Sequence, residues 1–346
     1  MSAPVRHIVN AIVVSHDGER WLGELIAGLR QQRRPADRIL VVDTGSQDAS
    51  REMLARAFSP ESVLSLGPRT GFGAAVGQAV RRLPPPERDA VEWLWLLHDD
   101  CAPTPGALHE MLLLLEEVPA AAVLGPKLRS WPRGRQLLEL GVTITGSGMR
   151  ETSLERAEFD QGQHDIVRET LAVSTAGMLV RRDVFERLGG FDPRIKLFRD
   201  DVDFGWRAHR AGYHVITCPD AIVFHAEAGW RGARPLDAVR GARPRRADRA
   251  AAIYTLLVNC AWWALPFIAL RMLLGTLLRT LGLLVAKWPD AAYDEFVAGL
   301  ATLGRPDRVV AGRMRRARGR KVSRRKFRHL FPPPWIGIQH GLETVT

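Results

Sequence analysis

Four short clusters in this 346-residue chain combine residue types and spacing that could do chemistry. Ser15-His16-Asp17 follows the apolar run 8–14. Asp43-Thr44-Gly45-Ser46 closes the run that starts at Ile39, and His98-Asp99-Asp100 follows Trp93-Leu94-Trp95-Leu96-Leu97. Three acidic loops meeting at one sheet edge would repel each other unless a cation or a donor-rich ligand lay between them. A carboxylate such as Asp43 can accept the imide N–H of a uracil or thymine. His98, Asp99 and Asp100 offer hard oxygen and imidazole ligands suited to Mg²⁺ or Mn²⁺ carrying a diphosphate. The fourth cluster, Asp200-Asp201-Val202-Asp203, opens a helical pattern. One or two acids there suit the helix N-terminus, but three exceed what capping needs. One is then free to act as a general base on a hydroxyl. His225 ends an apolar stretch, where a lone histidine ordinarily serves the core. It becomes a metal ligand only if the fold brings it beside Asp100.

Positioning these clusters requires strands that end where the clusters begin. The pattern predicts strands at 8–14, 39–43, 63–66, 93–97, 121–125, 171–180, 215–219 and 221–225. Helices are predicted at 19–32, 48–57, 106–117, 181–192 and 200–211, from apolar positions such as Leu22, Leu25, Ile26 and Leu29 and from stops such as Gly189-Gly190. Residues 126–170 give no clear pattern. Strands alternating with helices through short loops imply a mostly parallel central sheet flanked by helices, an α/β fold. In such sheets ligands bind beyond the carboxyl ends of the strands, which is where the first three clusters fall.

The segments IVVSHDGERWL, VVDTGSQD, RTGFGAAVGQA, WLLHDDCAPTPGAL, STAGMLVRRDVFERLGGFDPRI, FRDDVDFGWRAHRAGY and PDAIVFHAEAG stand in this order. Together they resemble the family 2 inverting glycosyltransferases of the A-type, Rossmann-like fold, and in particular the rhamnosyl- and galactofuranosyltransferases of cell envelopes. The resemblance covers residues 8 to 228. It implies that Asp43 contacts the base, and that Ser15 and its loop, Gly71, Phe72, Gly73 and Asp99 line the nucleotide. It also implies that Asp100, His98 and His225 hold the Mn²⁺ or Mg²⁺, and that Asp201 is the catalytic base, with Asp200 and Asp203 as companion acids on the acceptor side. Two positions depart from the family pattern: His98 replaces the usual first aspartate of the metal motif, and Asp200 replaces a glutamate. The implied reaction is metal-dependent, inverting transfer from a UDP or dTDP sugar to a lipid-linked or cell-wall glycan. The competing reading is a non-catalytic nucleotide-sugar-binding protein or scaffold on the same fold.

Charge divides the chain. Residues 1–230 carry 27 Lys+Arg against 31 Asp+Glu, whereas residues 231–346 carry 22 against 7. The expectation is a separable catalytic domain at 1–230, a basic linker at 231–249, apolar membrane-associating helices at 250–304 and a basic segment at 305–346. Residues 250–270 contain no charge, and apolar residues continue to Ala286 around Arg271 and Arg279. A single crossing would send one basic flank across the bilayer, against the preference of such flanks for the cytoplasm. Interfacial or re-entrant helices satisfy both flanks, with Trp262, Trp263 and Trp288 at headgroup level. The expected partner is an anionic membrane surface at the cytoplasmic face of the cell membrane. The other use for these helices is a core or a homo-oligomer contact. Nucleic acid is excluded as a partner: the acidic front repels phosphate, and the basic block at 305–328 holds a single aromatic, Phe327. Cys101, Cys218 and Cys260 lie too far apart for a zinc or disulfide framework, and read as reduced thiols.

Overall fold

The computed structural model describes residues 5–229, 231–233, 243–317 and 319–333. The front of the chain runs β1 (His7–Ser15), α1 (Glu19–Arg30), β2 (Arg38–Asp43), α2 (Ser50–Ala57), β3 (Val63–Ser65), α3 (Phe72–Arg82) and β4 (Val91–His98). It continues through β5 (Cys101–Pro103), α4 (Ala107–Glu117), β6 (Ala121–Ser130), β7 (Leu137–Glu139), β8 (Thr143–Ile144) and β9 (Arg150–Glu151). Next come β10 (Leu179–Arg181), α5 (Arg182–Arg187), α6 (Asp200–Ala211) and β11 (His214–His225). Four helices close the described chain: α7 (Pro244–Asn259), α8 (Leu265–Val285), α9 (Pro289–Leu303) and α10 (Pro306–Ala317).

One mixed sheet of nine strands organises the front, in the order β3-β2-β1-β4-β10-β6-β11-β5, with β7 paired to β6. β3, β2, β1 and β4 are mutually parallel. β10 inserts antiparallel between β4 and β6, and β11 runs parallel to β6. Strand β1 is apolar at nearly every position because both its faces are covered. Val9, Ala11 and Val13 pack with Leu22, Leu25 and Leu29 of α1 and Met111 of α4. Ile12 and Val14 pack with Val76 and Val80 of α3 and Phe204 of α6. The chain leaves β1 for β2 on one side and reaches β4 on the other, so the strand order reverses at β1 and opens a crevice at its carboxyl end. The register places Ser15 opposite Asp43, and Val14 opposite His98. Three of the sequence clusters therefore meet at one edge.

The structure departs from the sequence reading in four places. Residues 171–178 are not a strand. Leu171 and Ala172 are apolar because they pack on α6 and α7, and Gly177, with φ +108°, turns the chain before β10. The two expected strands at 215–219 and 221–225 are one, β11, with a register irregularity between Cys218 and Ile222. Helix α3, hidden in the Gly-rich stretch 71–77, was not expected.

The fourth difference concerns the C-terminal region. Residues 251–259 of α7 are buried in an apolar cluster with Ile144, Leu171, Val202 and Trp206 of the front. One apolar cluster thus crosses the expected boundary at residue 230, and the uncharged run 250–270 is half core. The first turns of α7 spend the basic linker on ion pairs: Arg246 lies 2.7 Å from Asp294 and Arg249 2.7 Å from Glu295. Residues 234–242 of that linker and 334–346 at the end lie outside the described residues. Among the described residues α8 is the one helix long and apolar enough to cross a membrane, with mean hydropathy 1.8. Its two arginines turn toward the front. Arg271 donates to the Gly146 carbonyl at 2.6 Å, and Arg279 lies 3.9 Å from the Met149 sulfur.

Candidate active site

The loop after β1 is latched to the loop after β2. The Thr44 amide and hydroxyl donate to the Ser15 carbonyl at 2.8 and 3.0 Å, and the His16 ring pairs through Nδ1 with the Thr44 carbonyl at 2.9 Å. The Asp17 amide donates to Ser46 Oγ, while Asp17 Oδ1 accepts the Gln47 amide at 2.7 Å. Asp43, at the end of β2, accepts the Gly45 and Ser46 amides at 3.2 and 3.3 Å and the Arg51 Nε at 3.1 Å. It closes its own turn and lies almost fully buried in it. The Ser15 hydroxyl is buried and has no hydrogen-bond partner among the described residues.

Asp99 is buried against the first loop. Its Oδ2 accepts the His16 amide at 2.7 Å, and its carboxylate sits where a Cβ on Gly18 would be, 2.5 Å away. A side chain at Gly18 would expel it. Asp99 thus holds the first loop against the end of β4.

Asp100 and its neighbours form the densest cluster of ligating atoms. His98, Asp100, Cys101 and His225 place one such atom each within 4.8 Å of one another. His225 Nε2 lies 3.3 Å and His98 Nδ1 3.9 Å from Asp100 Oδ1. The other oxygen, Oδ2, accepts the Ala228 amide at 2.8 Å, which fixes the carboxylate with Oδ1 toward the imidazoles. Antiparallel pairing of β11 with β5 sets His225 directly opposite Cys101. Burial would push the His225 imidazole down, but the Asp100 carboxylate outweighs it and holds it above the ordinary histidine value. Two imidazoles, a carboxylate oxygen and a thiol can hold a first-row divalent ion; the carboxylate is the donor that suits Mn²⁺, whereas the imidazoles and the thiol suit softer ions such as Zn²⁺. The Thr175 hydroxyl hydrogen-bonds His98 Nε2 at 3.0 Å and orients the ring.

Aromatic contacts join the ligand cluster to the segment that leads into the base cluster. Phe72, at the start of α3, meets the His98 ring edge-on at 4.7 Å and Phe191 at 5.9 Å. Phe191 starts the segment that leads into α6. That segment ends with Phe198 and Arg199, both at left-handed φ (61° and 62°). Two consecutive side-chain-bearing residues in that region are costly and mark a constrained turn. Asp200 and Asp201 follow it, nearly buried. Arg150 of β9, gripped by Glu139 at 2.8 and 2.9 Å, lies 2.7 Å from Asp201 Oδ2. Asp200 makes no ion pair among the described residues: burial and the neighbouring Asp201 charge push its carboxyl up to about 7, against the weaker pull of Arg150.

Asp203 does not reach the acceptor side and is corrected to a structural residue. It faces the C-terminal helices, fully buried, where Asn259 donates at 2.8 Å, Arg207 Nε at 2.8 Å and Arg316 Nη2 at 2.6 Å. Burial opposes its ionisation, but Arg316 and Arg207 hold its carboxyl at about 2. Arg316 also reaches Asp192 at 2.7 Å. The sequence reading missed Arg150, Glu139, Thr175 and Arg316 altogether, and read Cys101 only as a thiol. The adjacency of Cys101 to His98-Asp99-Asp100 was the one signal on offer.

Comparison with known proteins identifies the family and the fold. Residues 6–245 match the family described as glycosyltransferase like family 2. The N-acetylglucosaminyl-diphospho-decaprenol L-rhamnosyltransferase of Mycobacterium tuberculosis is 24% identical over 273 residues, 75% of this chain and 87% of that protein. The galactofuranosyltransferase GlfT1 of Mycolicibacterium smegmatis is 27% identical over 221 residues, 63% of this chain and 70% of that one. Among solved structures, S. aureus TarS 1-349 in complex with UDP-GlcNAc aligns with a TM-score of 0.54 at 14% identity, covering 90% of this chain and 89% of that one. The mannosyltransferase PcManGT from Pyrobaculum calidifontis, in complex with GDP-Man and Mn²⁺, aligns at 0.51 and 18% identity, covering 87% and 89%. These structures confirm the A-type fold. The matched segment spans the whole sheet, both acidic clusters and His225, and the chain belongs to glycosyltransferase family 2.

Proposed function

We propose that this glycosyltransferase moves a sugar from a UDP or dTDP donor to a lipid-linked or cell-wall glycan acceptor, inverting the anomeric carbon. The observation that carries the reading is the pairing of one ligand cluster at His98, Asp100, Cys101 and His225 with one acid pair at the head of α6. A divalent cation held there would neutralise the charge that develops on the departing diphosphate.

This chain's own residues supply the rest. Asp43 and the Ser15 loop receive the base, and Gly71–Gly73, at the start of α3, lie along the nucleotide. Asp201 takes the proton of an acceptor hydroxyl. The new C–O bond forms as the bond to the diphosphate breaks on the opposite face, and the diphosphate leaves with the electron pair. Burial and the neighbouring Asp201 charge raise the Asp200 carboxyl, which makes it the poorer anion of the pair, and Arg150 stands beside Asp201. No covalent intermediate is required.

The acceptor class is supported by the name of the mycobacterial relative, which specifies a diphospho-decaprenol, and by the outer surface of the C-terminal helices. Trp262 and Trp263 before α8, Trp288 after it, and Phe267, Leu278 and Leu281 along it are all exposed. A 21-residue helix with an apolar outer face, and with its arginines turned inward, suits the membrane interface.

The test is a panel of UDP- and dTDP-sugars with the purified full chain, a polyprenyl-diphosphate-linked acceptor, and either Mn²⁺ or EDTA. NMR then reads the anomeric configuration of the product. Inversion that needs the metal is expected. Transfer that survives EDTA would remove the metal, and a retained configuration would remove the single displacement. Turnover of no donor would return the non-catalytic nucleotide-sugar-binding alternative.

A further inference from the structure

A cavity of about 320 Å³ lies where the front meets the C-terminal helices, apart from the ligand cluster. Five cations line it: Arg69 ahead of α3, Arg194 and Lys196 in the segment leading to α6, and Arg305 and Arg308 around the start of α10. No acid lines it among the described residues, and four alanines of α7 and α9 stand among the remaining wall residues. Arg305 has an exposed partner, Asp307, at 3.0 Å. Arg69, Arg194, Lys196 and Arg308 make no side-chain hydrogen bond or ion pair among the described residues. Elsewhere in this region arginines are carefully spent: Arg243, Arg246, Arg249 and Arg316 all meet carboxylates. Unpaired like charges converging on one cavity repel, and an anion of matching charge relieves the cost.

Position narrows the anion. One wall belongs to the reaction site, because the Lys196 carbonyl packs against Gly71, Phe72 follows it onto His98, and Asp200 stands four residues after Lys196. The opposite wall belongs to the membrane-facing helices. Leu265 at the start of α8 and Leu303 at the end of α9 share one apolar cluster. The cavity therefore lies at the end of the hairpin that displays Trp262 and Trp263. None of His98, Asp100, Cys101 and His225 lines it, so it is separate from the place where the donor's diphosphate would be held.

We infer that this cavity seats the diphosphate of a lipid-linked acceptor, with the first sugar directed toward Asp201 and the lipid leaving along α8. The inference rests on the lipid-linked acceptor reading above. Arginine forks and a lysine suit a diphosphate, which presents several acceptor oxygens and more than one negative charge. A bulk lipid headgroup would be met by surface charge and would not need an enclosed seat between the two parts of the protein.

The probe is inorganic pyrophosphate, titrated into the full chain by calorimetry in EDTA, which disables metal-held donor binding. The variant is Arg194→Gln/Arg308→Gln. Both arginines lack partners in the fold, so the melting temperature and Mn²⁺-dependent UDP binding should stay as in wild type. Pyrophosphate affinity should fall at least about tenfold, the effect of losing charge-assisted hydrogen bonds. KM for the polyprenyl-diphosphate acceptor should rise while KM for the donor does not. Unchanged pyrophosphate affinity would overturn the proposal, as would displacement of pyrophosphate by UDP in EDTA. A second arm separates the sources. Phosphatidylcholine vesicles doped with undecaprenyl diphosphate should retain wild type better than vesicles of equal charge containing phosphatidylglycerol, and that preference should vanish in the variant. Equal retention would assign the seat to bulk lipid and overturn the acceptor role. Loss of pyrophosphate binding in the variant without glycosylation of any lipid-linked acceptor would remove the acceptor reading but keep the anion seat. Glycosylation with unchanged acceptor KM in the variant would do the reverse.

Discussion

Arg316→Met tests whether the basic C-terminal segment is part of the folded unit. Arg316 reaches back from α10 to place Nη2 2.6 Å from Asp203 and 2.7 Å from Asp192, both buried. Methionine keeps most of the side-chain volume and removes the charge. Breaking a buried pair by deleting one partner costs about 3–5 kcal/mol, because the remaining charge stays buried. Partial cover persists here. Asp203 keeps Arg207 and Asn259, and Asp192 keeps Arg315 at 2.8 Å and the Tyr254 hydroxyl at 3.0 Å. The low end, about 3 kcal/mol, is therefore expected. At ~2–4 °C per kcal/mol for domains of a couple of hundred residues, the melting temperature should fall by about 6–12 °C. The pH dependence carries a sign. Asp203 is held at about 2 against an ordinary 3.8. Its contribution is complete above the unfolded value and is lost as pH falls through the folded one. In the variant the folded value rises, so the deficit should be widest at pH 7 and should narrow as the pH is lowered toward 4. Adding Asp203→Asn should restore part of the loss. Thermal unfolding followed by circular dichroism reads all three. A fall of less than about 2 °C at pH 7, or a deficit independent of pH, would refute the reasoning.

Asp201→Asn should cut turnover by at least ~10²-fold while leaving UDP affinity nearly intact, since shape is kept and only the base is lost; full activity in the purified variant would end the assignment. Asp100→Asn leaves an oxygen for the Ala228 amide but removes the charge facing His225. Calorimetry should show weaker UDP binding that no longer responds to Mn²⁺, and an unchanged metal requirement would count against the cluster. Leu278→Asp/Leu281→Asp, on the exposed face of α8, should abolish sedimentation with anionic vesicles without lowering the melting temperature. High salt should release wild type only in part, because salt screens the arginines and not the buried apolar face; complete release would place α8 against protein instead.

Local pattern was enough for the sheet that carries the site, and not for the contacts that tune it. Strand β1 and helix α1 were legible because a fully covered strand needs an unbroken apolar run, and a one-sided helix needs apolar residues every three or four positions. The ends of those runs then placed Ser15, Asp43 and His98, which the parallel register sets side by side. Helix α3 escaped because Gly73 and Gly77 inside it lower helix propensity, and packing on β1 and β2 restores it. Residues 171–178 misled for the converse reason: an apolar run is buried by whatever covers it, and here Leu171 and Ala172 pack on α6 and α7, while Val173 and Met178 pack against Leu94, Leu96 and Val123 of the sheet without forming a strand.

Charge was the least legible feature, because its meaning lies in partners far along the chain. Asp203 and Arg316 are 113 positions apart, and nothing in a chain with 49 basic residues marks that one arginine out. The positive balance after residue 231 suggested a solvated, membrane-binding tail. The structure divides the same charge among different tasks. Arg313 is fully buried and donates to the Cys260 carbonyl at 2.8 Å. Arg316 holds two acids, Arg246 and Arg249 fasten α9, and Arg305 and Arg308 face a cavity with no acid in its lining among the described residues. Because the first three tasks each end in a partner, a net charge counts cations that the fold has already neutralised. The cations that a ligand can still use are those the fold leaves unpaired, and only the folded chain shows which they are.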